Sequence, residues 1–153
     1  MANTKVQHEV ESWILEDYLP KTFGGRFTEQ PLKLTWGGVF KFDAVSDDGK
    51  IVGNISTSTA VTSGGRPAVG QFHKIKADIL YLLHVGEAER RMLIFTEQNM
   101  VDHFAKEQES GRLPDEIELH LIALPAWLRR ELEKSRGYAS KEVRPNGKQR
   151  EAR

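Results

Sequence analysis

Cysteine is absent from this 153-residue sequence, so disulfide staples, zinc-thiolate sites and thiol nucleophiles are excluded. Long apolar runs are missing too. No stretch approaches the roughly 18 apolar residues that a membrane helix needs, and Met1-Ala2-Asn3-Thr4-Lys5 leads into a charged amphipathic stretch without an apolar signal core. The expectation is a cytoplasmic protein with no membrane partner, in which Asn54-Ile55-Ser56 is a chance match to the glycosylation pattern. There is no excess charge of either sign. Lys plus Arg and Asp plus Glu each number 22, so net charge does not point to nucleic acid. No phosphate loop is present: Gly64-Gly65-Arg66-Pro67 lacks the Lys-Ser/Thr ending, and Pro67 removes an N–H donor. A Gly-x-Ser-x-Gly nucleophile motif is also absent. His8, His73, His84, His103 and His120 form no i, i+4 pair with an accompanying Glu, which argues against a His-based zinc site.

What remains is ordinary globular composition, 39% hydrophobic and 29% charged, at the size of one domain. Charge is unevenly placed. Acidic residues lead nine to four from Glu87 to Glu118, and basic residues lead nine to four from Arg129 to Arg153. Residues 1–140 are expected to form a single α/β domain and residues 141–153 a flexible basic tail, solvated or, alternatively, a phosphate-binding arm.

Val6, Val10, Trp13, Ile14 and Asp17 fall at helical spacing and predict a first helix ending before Pro20, with Glu9 beside its apolar stripe. A loop through Gly24-Gly25 and Pro31 leads to a strand over Leu32, Leu34 and Trp36. Runs 39–45 and 50–57 flank Ser46-Asp47-Asp48-Gly49 and predict a hairpin, which makes Asp47 and Asp48 turn formers rather than metal ligands. Ser58 to Val69 reads as a mobile polar loop, and Phe72, Ile75, Ile79, Leu82 and Leu83 place a helix over about 69–85 with Lys76 in its stripe. A strand over 91–96, a helix to about Glu109, a strand over 117–123 and a helix from Pro125 to about Arg136 complete the order. Strands separated by helices argue for parallel pairing at the end and the hairpin for an antiparallel start, so the sheet is expected to be mixed.

A helix with a flanking Glu, an Asp at the end of the first hairpin strand, a second strand with polar residues, and then a packed helix and strand resembles the PD-(D/E)XK nuclease-like superfamily. The resemblance spans roughly residues 6–123 and implies a restriction-endonuclease-like three-layer fold with a mixed central sheet flanked by helices. It implies that Asp43 is a ligand for Mg²⁺ or Mn²⁺ and that Glu9 is an assisting carboxylate. The second motif departs from the pattern, because Asn54 stands where the family has an acid and Ser56 where it has a Lys. Asn54 could still ligate through its amide oxygen, but without its anion Mg²⁺ affinity should fall. Some relatives place the Lys on the following helix, where this sequence offers Lys74 and Lys76, and Lys76 is the better candidate by its stripe position. The structural alternatives are a snorkelling Lys76, an Asp43 capping the turn and a solvated Glu9. The leading expectation is a catalytically impaired protein acting by nucleic-acid binding, with only weak Mg²⁺ or Mn²⁺ affinity. The alternatives are an active nuclease using Asp43, Glu9 and a displaced Lys76 with a carbonyl near Ile55, or a protein-interaction subunit. The polar rim from Thr57 to Arg66 could serve phosphate, nucleic acid or a protein partner.

Overall fold

The computed structural model describes residues 4–143, in which a five-stranded mixed sheet is flanked by helices. Chain contacts divide it into two compact units, one formed by residues 1–13 and 124–153 and the other by residues 14–123. In the first unit, α1 (Thr4–Trp13) is in contact with α5 (Ala126–Val143), and Val6, Val10, Leu128 and Leu132 are buried. Helix α5 runs past the expected end at Arg136 and takes in the start of the expected tail. The remainder of that tail lies outside the described residues.

The second unit opens with a π-helical turn (Ile14–Tyr18) and α2 (Leu19–Phe23), so Pro20 does not end the helical region as expected. The physical reason is position: Pro20 falls in the first turn of α2, where a missing N–H is tolerated, and the wider turn before it accommodates the ring. The first strand also differs. It is β1 (Phe27–Lys33), which includes the expected loop residue Pro31, while Leu34 to Gly38 form a turn closed by the Leu34 N–H on the Gly38 carbonyl. Pro31 is admitted because β1 is an edge strand and can leave one side of its backbone unladdered.

Strand β1 pairs antiparallel with β2 (Val39–Ser46), and β2 with β3 (Ile51–Ser56). The β2–β3 turn follows from its residues. Gly49 adopts φ 73°, and Asp48 accepts hydrogen bonds from the Ser46 hydroxyl (2.7 Å) and the Lys50 N–H (3.0 Å). From β3 the chain crosses through α3 (Val69–Leu83) to β4 (Arg90–Phe95), then through α4 (Gln98–Glu109) to β5 (Ile117–Leu121), and both new pairings are parallel. Phe42, Val45, Val52, Leu93 and Phe95 from the sheet meet Ile75, Ile79 and Leu82 of α3 and Met100 and Phe104 of α4 in one apolar cluster.

Candidate functional site

The site begins with an irregularity in β2. Between two register points, β1 advances two residues, Thr28 to Gln30, while β2 advances three, Phe42 to Val45. The extra residue lies at Asp43–Ala44. A bulge of this kind re-aims a side chain, and here Phe42 and Val45, an odd number of residues apart, both enter the same core cluster.

Strands β2 and β3 keep regular partners only at Ala44–Gly53 and Val45–Val52. Beyond that point two side chains replace the ladder. The Ile55 N–H donates to the Asp43 carboxylate (Oδ2, 2.8 Å), and the Asp43 N–H donates to the Asn54 amide oxygen (Oδ1, 3.2 Å). Asn54 is only 3% exposed, and its amide nitrogen is the one buried side-chain N or O atom among the described residues without a hydrogen-bond partner.

Helix α3 brings a lysine and a carboxylate into electrostatic reach of Asp43. Lys74 and Asp78 are four residues apart and share one side of the helix. Burial, followed by the charge of Asp43, pushes the Asp78 carboxyl up to about 6, while Lys74 pulls it down. The Asp43 carboxyl is also raised. Burial is the main cause and Glu29 adds to it, whereas the Ile55 N–H, Lys74 and Lys41 act the other way. Two partly buried carboxylates and one lysine therefore feel each other's fields. Lys74 is exposed and makes no salt bridge among the described residues. Lys41 is less available because it pairs with Glu29 at 2.9 Å.

The other expected residues are placed as follows. Lys76 points toward α4, with its ammonium 3.7 Å from Glu107, at a cleft of about 320 Å³ floored by Ile79, Leu83 and Phe104. Its side chain is 54% exposed, which fits an apolar stem carrying its head to water. Ser56 is half-buried, and its hydroxyl accepts the Ser58 N–H at 3.4 Å. Glu9 is half-buried on α1 in the other unit. Asp78 was missed by the sequence reasoning, although its spacing from Lys74 was available as a signal.

No family model, curated protein or solved structure matches this chain. The site must be judged on its own chemistry. Among the described residues no three His, Cys, Asp or Glu side chains gather as a metal cage. Two carboxylates are nonetheless enough for Mg²⁺ or Mn²⁺ of the kind that keeps several waters and is completed by substrate phosphate. Asp43 has one oxygen outside the Ile55 bond, and a second anion can come from Asp78 but not from the neutral Asn54 amide, whose oxygen already accepts the Asp43 N–H.

Proposed function

We propose that this protein is a divalent-metal-dependent phosphodiesterase acting on nucleic acid, on a restriction-endonuclease-like scaffold whose second acid and lysine have moved from β3 to α3. One observation carries the reading: the charge of Asp43 acts on Asp78, and Lys74 acts on both carboxyls, with Asp43 at the opened end of the β2–β3 ladder. The mixed sheet, antiparallel through β1–β3 and parallel through β3–β5, agrees with that scaffold.

In this reading Asp43 and Asp78 would hold Mg²⁺ or Mn²⁺, which when bound polarises a phosphoryl oxygen and lowers the pKa of a coordinated water. The Ile55 N–H fixes one Asp43 oxygen and so orients the carboxylate. Lys74, a strongly hydrated point charge that makes no salt bridge among the described residues, is available to steady developing phosphate charge. Glu9 and Lys76 take no part in this assignment.

A second reading, a catalytically impaired protein that acts by binding nucleic acid, is favoured by a different observation. Asp43 and Asn54 already have a structural task, replacing the ladder bonds where β2 and β3 part. Calorimetric titration with Mn²⁺ together with a nuclease assay separates the two. Hydrolysis predicts metal-dependent cleavage that Asp43→Asn abolishes and Lys74→Ala lowers by about 10²–10³-fold in kcat. Asp43→Asn is the informative variant because its amide oxygen can still accept the Ile55 N–H. No Mn²⁺ binding and no turnover in the unaltered protein would leave the binding-only reading.

A further inference from the structure

Between β3 and α3 lies a segment that the catalytic assignment does not use. Its path is built rather than loose. Val61 bridges Pro67 antiparallel, the Thr62 N–H donates to the Arg66 carbonyl at 2.7 Å, and the Arg66 N–H returns to the Thr62 hydroxyl at 3.2 Å. These bonds close a small hairpin with Gly64 and Gly65 at its tip, where no side chain extends and Gly65 has φ 81°. Its base is tied down on both sides. The Ala60 N–H donates to the Asn99 amide oxygen of α4 at 3.0 Å, and the Ala68 N–H to the Ala60 carbonyl at 2.9 Å.

Charge distinguishes this part of the chain. From Gly49 to Ala77 the sequence contains no Asp or Glu, while Lys50, Arg66, Lys74 and Lys76 supply positive charge, in a chain whose net charge is zero. Lys50 and Lys76 are partly neutralised by Glu89 and Glu107. Among the described residues the Arg66 guanidinium has no ion-pair or hydrogen-bond partner, and the Lys74 ammonium has none at contact distance, acting only through its field on Asp43 and Asp78. Arg66 stands on the hairpin and Lys74 in the second turn of the helix that the hairpin feeds, so both cations lie on the stretch of chain leading to Asp78.

We infer that the Val61–Pro67 hairpin is the substrate-gripping element of this site, and that Arg66 contacts the phosphate backbone of a nucleic acid whose scissile phosphate lies near Asp43 and Asp78. The inference rests on the phosphodiesterase reading for the identity of the ligand. A side-chain-free Gly-Gly tip permits close approach to a sugar-phosphate chain, and a hairpin already tethered at its base loses little backbone freedom on binding. A contact with phosphate carries no sequence information, so the grip is sequence-independent.

The test is fluorescence anisotropy with a labelled DNA duplex and a labelled single strand, in chelator, so that binding is read without cleavage. Each neutralised phosphate contributes about −0.9 to the slope of log K against log salt on duplex DNA. Arg66→Ala is therefore expected to weaken binding roughly five- to tenfold at about 0.1 M salt and to flatten the slope by about 1, with Arg66→Lys retaining most of both. Arg66 is exposed and among the described residues its side chain makes no hydrogen bond or ion pair, so circular dichroism should report an unchanged fold. Unaltered affinity and slope in Arg66→Ala overturn the inference, as does failure of the unaltered protein to bind either probe at low salt. The catalytic reading fails separately: Arg66-dependent binding without metal-dependent cleavage sinks hydrolysis and keeps the hairpin, and cleavage with no Arg66 dependence does the reverse.

Discussion

Asp78 is the residue whose environment most opposes its ordinary charge. Its carboxyl titrates near 6 because burial and Asp43 disfavour the anion. For an acid whose pKa is raised on folding, the native state binds more protons between the unfolded and folded values, so stability falls as pH rises. The loss begins above about 4 and is complete once pH has passed through about 6. Asp78→Asn is accordingly expected to stabilise the protein by on the order of 1–2 kcal/mol at neutral pH, after allowance for partial exposure, and by little near pH 4. Urea denaturation of both proteins at the two pH values checks it, and an equal gap at both would show that repulsion and burial are not the cause. On the phosphodiesterase reading that gain in stability would come with loss of turnover. Asp78 was not legible from sequence because an Asp in an amphipathic helix normally faces water. Its partnership with Asp43 depends on which side of α3 meets the opened strands.

At the scale of elements, β3 is held close on one side and open on the other. Gly53 lies against β4, where an added Cβ would meet the Met92 side chain at 2.8 Å and the Met92 carbonyl oxygen at 3.1 Å. Because one of those atoms is backbone, Gly53→Ala should destabilise by about 1–3 kcal/mol, read as a lowered midpoint in thermal or urea unfolding. On the open side, Asp43→Ala removes the acceptor of the Ile55 N–H, and a donor left unsatisfied costs about 1–3 kcal/mol. Asp43→Asn, which keeps an acceptor, should lose much less. Equal losses in the two variants would show that the carboxylate does not stand in for a ladder bond. The hairpin, the Asp48 turn and the alternation of parallel helices and strands were readable in advance, since each follows from local turn chemistry or periodicity. The bulge at Asp43–Ala44 was not, because it is a mismatch between two strands and neither strand carries it alone. The same holds for β1, whose Pro31 is acceptable only at a sheet edge.

For the whole molecule, equal numbers of acidic and basic residues leave little net repulsion between copies at neutral pH. Light scattering at low salt is expected to show the strongest self-association near pH 7 and less on either side, and a monotonic trend would contradict this. Local charge departs from that balance in the acid-free stretch from Gly49 to Ala77, so binding to polyanions should be governed by that stretch and not by net charge. The principal core joins sheet, α3 and α4 through large side chains. Phe104→Ala, at a fully buried position stacked against Phe95, should cost about 3–5 kcal/mol in urea unfolding.

By itself the sequence determined the α/β class, the order of most elements and the turn at Asp48-Gly49, because these depend on residue periodicity and short-range backbone preference. Only the tertiary structure decided that Lys74 and not Lys76 acts on Asp43, and that Asp78 lies in the field of Asp43. The reason is rotational: Lys74 and Lys76 are two residues apart on a helix and so face about 160° apart, and which of them meets the site is set by how Ile75, Ile79 and Leu82 seat α3 on the sheet.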